Sequence, residues 1–237
     1  MNYTMADMMV VSIARKLKDA ENAFHGVASP VPMVSIMLAK KMYNEELQYL
    51  NITGGVNMLP DILEKSTDGD NLYLGSKSSF NLTDIFDLSA RGGLDVAFLS
   101  GGQVDAKGRI NNSVIGNFVK PKVKLPGGAG SAVLVPTTKR AFIWKTKHDK
   151  RGFVENVDFV TTQGNVKYIF SPLCTFVMNN GKLEIESIHP YSSLDEIIEN
   201  TAFEIERKEY PITPEPTEKE LSLLHEIDKD NVRECEF

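Results

Sequence analysis

The chain has 237 residues, 42% hydrophobic and 24% charged, enough for one large α/β domain or two small ones with a real core. Its net charge of −6 is spread along the sequence with no block of Lys and Arg, so nucleic acid is not an expected partner. Cys174 and Cys235 stand far apart and form no CxxC pair, which argues against a zinc site or a disulfide framework, and no metal site is expected.

Apolar residues at Met8, Met9, Ile13 and Leu17 recur at helical spacing, and the first 24 residues read as an amphipathic helix. That segment lacks a basic n-region, an uninterrupted apolar stretch and a small-residue cleavage site, so it is not read as a signal peptide. No apolar run approaches the roughly 20 residues of a spanning helix. A soluble, cytoplasmic protein without a membrane partner is expected.

A loop with Pro30 and Pro32 leads to a second helix, Met33 to Tyr43, with proline near the first turn where it is tolerated. Leu47 to Thr53 reads as a strand ending at Gly54-Gly55. Residues 60 to 79 are polar and read as a loop with a short helical piece. Leu82 to Ala90 is a helix with Asn81 as its cap, closed by Gly92-Gly93, and Leu94 to Leu99 is a buried strand. Helix, glycine pair, apolar strand, glycine pair is the order expected of an open α/β sheet. Loops at the carboxyl ends of such strands are where these sheets place ligands.

The second half reads as strands: Ser131 to Val135, Arg140 to Thr146, Val157 to Thr162, Leu173 to Asn179 and Leu183 to His189, with a turn at Asn179-Asn180-Gly181. Ser193 to Thr201 is a helix with Ser at its start and acidic residues in its first turn. Residues 1–210 are expected to form one α/β domain. Residues 211–237 read as a proline-rich acidic linker and a last helix, Glu218 to Ile227, that wraps a partner or the domain surface.

Several motifs then stand in register. Phe98-Leu99-Ser100-Gly101-Gly102-Gln103-Val104-Asp105 through Asn111 is followed by Ile115-Gly116 and Lys120-Pro121-Lys122. Pro126-Gly127-Gly128-Ala129-Gly130 comes next, then His148 to Phe153 with Val157 to Thr161. The series closes with Ile188-His189-Pro190 and Glu199-Asn200-Thr201-Ala202-Phe203. In order and spacing these resemble the β-type subunits of the family I coenzyme A transferases, such as that of glutaconate CoA-transferase. The resemblance covers most of the chain. It implies an open, mostly parallel sheet flanked by helices and an α-type partner of similar fold in a heterodimer or heterotetramer. An acyl-CoA thioester is the implied substrate, with no tightly bound cofactor.

In that family the strand matching Leu47 to Thr53 ends in a glutamate followed by a small residue and glycine. Its carboxylate attacks the thioester to give an acyl anhydride, and the released CoA thiolate then forms a glutamyl-CoA intermediate. Here the strand ends Asn51-Ile52-Thr53-Gly54-Gly55. Aligning the first glycine puts Ile52 at the glutamate position, and aligning the second puts Thr53 there. Glu45 and Glu46 lie at the other end of the strand, several extended residues of about 3.3 Å away. The expected activity is therefore hydrolase- or decarboxylase-like chemistry on an acyl-CoA with a partner subunit. A true acyl-CoA:carboxylate transferase subunit and a non-catalytic binding subunit are the alternatives.

Asn51 and Thr53 are the candidate polar groups at the strand end, positioning a water or a substrate carboxylate. Gly54, Gly55, Gly101, Gly102, Gln103, Gly127, Gly128, Ala129 and Gly130 are the candidate substrate- and CoA-binding residues. Glycine loops let backbone N–H groups approach a thioester oxygen or a phosphate, and they also simply make turns. Gln103 either bonds substrate or orders its loop. His148 and His189 read as hydrogen-bonding residues at loop and strand ends, since no nucleophile or orienting group pairs with either. Cys174 reads as core.

Overall fold

The computed structural model describes residues 2–237 and divides into two compact units, residues 1–98 with 215–237, and residues 99–214.

Helix α1 (Met5–Arg15) opens the first unit on a capping box. The Thr4 hydroxyl accepts from the Asp7 N–H at 3.1 Å, and the Asp7 carboxylate accepts from the Thr4 N–H at 3.0 Å. The helix ends at Arg15, and Asn22–His25 leaves it as strand β1. This corrects the expectation of one helix through residue 24. Ala23, Phe24 and His25 are buried on both strand faces, so the segment carries no alternation to read. Helix α2 (Pro30–Met42) has prolines at its start, where no intrahelical N–H bond is lost, and every residue from Pro30 to Ala39 is buried. Strand β2 (Gln48–Asn51) runs parallel to β1, with His25 opposite Asn51. The short strands β3 (Gly55–Val56) and β4 (Ser78–Ser79) add antiparallel beyond it. Helix α3 (Leu82–Ala90) begins on the expected Asn81, which forms a capping box with Asp84. Strand β5 (Val96–Leu99) pairs parallel with β1 on the side away from β2.

The second unit begins with two small antiparallel pairs, β6 (Gln103–Val104) with β7 (Ile110–Asn111) and β8 (Val114–Gly116) with β9 (Pro121–Lys124). Residues 131–135, expected as a strand, are instead the start of helix α4 (Ser131–Thr137). Its buried residues are Ser131, Leu134 and Val135, the i, i+3, i+4 spacing of one helix face, which a five-residue apolar run does not reveal. Strand β10 (Arg140–Trp144) runs parallel to β11 (Val166–Phe170), a strand absent from the sequence reading. The expected strand at residues 157–162 is irregular, because the Thr161 and Thr162 N–H groups both turn onto the Ile110 carbonyl instead of a strand ladder. Strands β12 (Cys174–Asn179) and β13 (Lys182–Ile188) form a hairpin whose Asn180 (φ 48°) and Gly181 (φ 79°) are the left-handed pair a two-residue turn requires. Helix α5 (Leu194–Asn200) follows, capped by Ser193. Phe153, Phe176, Phe203, Ile143 and Ile169 centre this unit's core, with Cys174 fully buried among them. Each unit thus carries mixed strand pairings, parallel for β5, β1 and β2 in the first and for β10 and β11 in the second, with antiparallel strands beyond them and helices alongside.

The chain then returns to the first unit. Helix α6 (Glu218–Ile227) starts on a capping box between Thr217 and Glu220, and Leu224, Ile227 and Val232 are buried. Glu220 also accepts two bonds from the Arg15 guanidinium, at 2.7 and 2.8 Å, and one from the Tyr43 hydroxyl. Burial alone would raise its pKa. The bonds from Arg15, Tyr43 and Thr217 outweigh burial and hold it at about 2. A depressed carboxylate contributes stability that is present above its ordinary value near 4.5 and lost as pH falls towards 2. In that window the wild-type chain should lose on the order of 3 kcal/mol more than a Glu220→Gln variant, measured by denaturant unfolding at a series of pH values. Parallel curves for the two proteins would count against the assignment.

Candidate functional site

In the first unit, the end of β2 is closed by a turn in which the Gly54 N–H bonds the Asn51 carbonyl at 3.0 Å. Asn51 is fully buried. Its side-chain oxygen accepts from the Thr53 N–H at 3.2 Å, the Thr53 hydroxyl at 2.5 Å and the Gly55 N–H at 3.2 Å, and its amide donates to the Leu72 carbonyl at 2.9 Å. The side chain therefore does locally what a backbone turn would do. The two glycines are sterically required, since a Cβ on Gly54 would lie 2.3 Å from the Phe80 carbonyl oxygen and one on Gly55 2.1 Å from that of Leu72. Ile52 and Thr53, the two positions at which the resemblance led to the expectation of a glutamate, are the half-buried middle residues of this turn.

Behind the turn, His25 at the end of β1 pairs through Nε2 with the Tyr49 hydroxyl at 2.7 Å and through Nδ1 with the Gly26 carbonyl at 2.9 Å. A carbonyl partner makes Nδ1 the donor, so Nε2 accepts from Tyr49. Burial lowers the imidazole pKa to about 4 and raises that of the Tyr49 phenol, which fixes both groups neutral. Sequence reading missed this pair, because a lone His in an apolar stretch carries no pattern.

In the second unit, Asn112 ties the two expected glycine loops together. Its side-chain oxygen accepts from the Gly102 N–H at 2.9 Å, its amide donates to the Ser100 carbonyl at 3.0 Å, and its own carbonyl accepts from the Gly127 N–H at 2.7 Å. Asn112 lies one residue beyond the motif that pointed to this loop. Gln103 is buried and committed inwards: its oxygen accepts from Asn111 at 2.6 Å and from the Asp158 N–H at 3.0 Å, and its amide donates to the Asp158 carboxylate at 3.2 Å. Gly127 (φ 99°) and Ala129 (φ 40°) are left-handed, and Gly130 returns to helical geometry. Such an alternation turns successive N–H groups to one side as an anion-accepting concavity. Among the described residues, the N–H groups of Gly128, Ala129 and Gly130 meet no acceptor.

Both histidines named from sequence are structural ligands of their neighbours. His148 bonds Ser171 at 2.8 Å and Thr201 at 3.0 Å, and stacks on Phe153 with ring centroids 4.1 Å apart. Burial, aided by the nearby Lys145 charge, lowers its pKa to about 3. His189 bonds Thr213 and the Ser171 carbonyl, both at 3.1 Å, and burial lowers it to about 4.

A coenzyme A transferase family profile matches residues 6–200. The chain belongs to the coenzyme A transferase family. Within it, the chain is similar to the β-type subunits. It is 29% identical to the B subunit of the 3-oxoadipate CoA-transferase of Pseudomonas knackmussii, over 95% of this chain and 94% of that one. It is also 29% identical to the cholesterol ring-cleaving hydrolase IpdB subunit of Rhodococcus jostii, over 71% of this chain and 76% of that one. Among solved structures, the decarboxylase AibA/AibB superposes with a TM-score of 0.92 at 27% identity, covering 98% of both chains. The transferase fold thus carries transfer, hydrolysis and decarboxylation in proteins similar to this one. No helix of the described residues is long and apolar enough to cross a membrane.

Proposed function

We propose that this transferase-family chain is the β subunit of a heteromeric enzyme acting on an acyl-CoA thioester without a glutamyl-CoA intermediate, by hydrolase- or decarboxylase-like chemistry. The observation that carries the reading is the turn at residues 51–55. Where the resemblance implies a nucleophilic carboxylate, the chain has Ile52 and Thr53, the latter held by the buried Asn51 side-chain oxygen. A threonine hydroxyl needs a base beside it to attack a thioester. Here the hydroxyl is 2.5 Å from a carboxamide oxygen, which orients a proton without removing it.

The three unpartnered N–H groups of the 128–130 loop supply what a thioester reaction needs at its oxygen: donors fixed in place before negative charge develops there. An α-type partner, in a heterodimer or heterotetramer, is the reading's second component and the source of the missing acid or base. The decarboxylase among the similar proteins is named as a pair, AibA/AibB, and the hydrolase as a subunit, IpdB, and both names support that arrangement. The similarity to a 3-oxoadipate CoA-transferase along nearly the whole chain favours a second reading, a true transferase reached by direct or partner-assisted transfer.

One experiment separates them. The complex is incubated with acyl-CoA, treated with borohydride and analysed by mass spectrometry of this chain. The unmodified mass is expected. A reduced carboxylate or a CoA adduct on this chain would reject the first reading, and transfer of CoA to an added carboxylic acid while this chain keeps its unmodified mass would decide for the second.

A further inference from the structure

Lys145 follows directly after β10, at the carboxyl end of a parallel strand, and its side chain turns back into the second unit's glycine loop. Its ammonium donates to the Gly101 carbonyl at 2.6 Å and lies 3.3 Å from that of Gly102. The Nζ sits 5.8 Å from the centroid of the Phe153 ring. Gly152 completes the slot, since a Cβ there would stand 2.9 Å from Lys145 Cε and 3.2 Å from Nζ. The lysine thus occupies a recess whose floor is an aromatic face and whose rim is two loop carbonyls, a site shaped for a cation.

The Gly101 carbonyl shares its peptide plane with the Gly102 N–H, and the Gly102 carbonyl with the Gln103 N–H. The ammonium therefore holds these two planes directly and, through the Gly101 Cα, braces the adjoining Ser100–Gly101 peptide, whose carbonyl Asn112 holds. The Gly102 N–H is then taken by Asn112, while the Gly101 N–H meets no acceptor among the described residues. We propose that Lys145 is the positioning residue of the Gly101–Gly102 loop, fixing the orientation in which the loop presents its free N–H to the thioester oxygen of a bound acyl-CoA. The inference rests on the reading of the chain as an acyl-CoA enzyme subunit, and it adds to that reading a residue that acts through the loop.

The ammonium is also in a state that can be removed. Burial pulls its pKa down to about 8, against the opposing pull of Asp149. Asp149 is itself paired to Arg151 at 2.9 Å, and His148 beside it is neutral, so around Lys145 the charges are one shared carboxylate and one guanidinium. The loop carbonyls contribute only dipoles. The grip on the loop should therefore weaken as pH rises through about 8, where the nitrogen loses its charge and one donor.

The test combines two measurements on wild type, Lys145→Met and Lys145→Arg. Amide hydrogen exchange of residues 100–104, corrected for the intrinsic rate at each pH, reports the loop directly and needs no ligand. Protection in wild type should fall above about pH 8, and in Lys145→Met it should be low at every pH. The drop should be about tenfold or more, as for removal of a hydrogen bond to a charged group, with β11 to β13 unchanged. Lys145→Arg keeps a charge that does not titrate in this range, so any protection it retains should not vary with pH. An unaltered loop in Lys145→Met, or a flat profile in wild type, would overturn the proposal without recourse to a ligand.

The second measurement is calorimetric titration of the assembled complex with acetyl-CoA and with free CoA. Lys145→Met should weaken acetyl-CoA about tenfold, the loss of one hydrogen bond to the thioester oxygen, while free CoA, which has no such oxygen, changes less than about twofold. Equal weakening of both would reduce Lys145 to a structural lysine. If wild type bound neither compound, the acyl-CoA reading itself would fall, taking the thioester role with it, while the exchange data would still decide whether Lys145 holds the loop.

Discussion

Replacing Arg233 by alanine should destabilise the first unit by about 3–5 kcal/mol, the usual cost of removing one partner from a buried ionic cluster. Arg233 is 2% exposed, and its guanidinium bonds Asp7 at 2.6 Å and Asp228 at 2.7 Å, carboxylates that are 2% and 1% exposed. Each carboxylate has a second task. Asp7 closes the capping box of α1, while Asp228 accepts the Val232 and Arg233 N–H groups at 2.8 and 3.1 Å where the chain turns after α6. The arginine thus ties the first helix to the last turn of the same unit, some 226 residues apart in sequence. Its loss leaves two carboxylates facing one another in a dry site, a larger penalty than the contacts removed. For a chain of this size the change corresponds to a fall in melting temperature of roughly 6–20 °C, at about 2–4 °C per kcal/mol. Arg233→Lys should recover only part of it, because an ammonium cannot fork between two carboxylates. A melting temperature within a degree or two of wild type for Arg233→Ala would show that the cluster is neutral in net effect.

None of this cluster was legible in the sequence, and the reason is physical. Asp7, Asp228 and Arg233 look like solvated charges on helix and turn surfaces, and only the packing of the tail against α1 and α2 makes them buried. Local rules did better where the interaction was local. The Asn81 cap, the bounds of α3 and α6, and the Asn180-Gly181 turn depend on residues within four positions of one another, and all stand where expected. Short apolar runs failed in both directions. Ala23-Phe24 hid a strand inside a helical reading, and Ser131 to Val135 hid a helix inside a strand reading, because a run of four or five residues fits either period. The glycine loops were found by resemblance to a family. What holds them, Asn112 and Lys145, was not, since a single polar residue announces nothing until the chain brings it to a loop. Gln103 shows the complementary case: conspicuous in the motif, it commits its side-chain bonds to Asn111 and Asp158.

Installing a carboxylate in the 51–55 turn should give a covalent adduct on a chain proposed to form none, provided the rest of the site is that of a transferase. Ile52→Glu and Thr53→Glu test the two alignments. In the productive variant the carboxylate attacks acyl-CoA and expels the CoA thiolate. The thiolate then attacks the resulting anhydride at the glutamyl carbonyl and releases the free acid, leaving glutamyl-CoA for mass spectrometry to detect. The structure favours Ile52→Glu. Thr53 donates its hydroxyl to the buried Asn51 oxygen, and a glutamate there would lose that bond and set a carboxylate against the same oxygen. Ile52 makes no polar side-chain bond within the turn, so the Ile52→Glu substitution would leave the Asn51 network standing, with Thr53, Gly54 and Gly55 in place. Exchange between acyl-CoA and a carboxylic acid should still be slow, at least about a hundredfold below a working transferase, because an ångström of misplacement costs that much. Partial burial also raises the pKa of a glutamate with no donors arranged for it and lowers its nucleophilic fraction. An adduct in Ile52→Glu and none in Thr53→Glu is the expected pattern. The reverse would place the second alignment, and not the first, on the geometry of this turn.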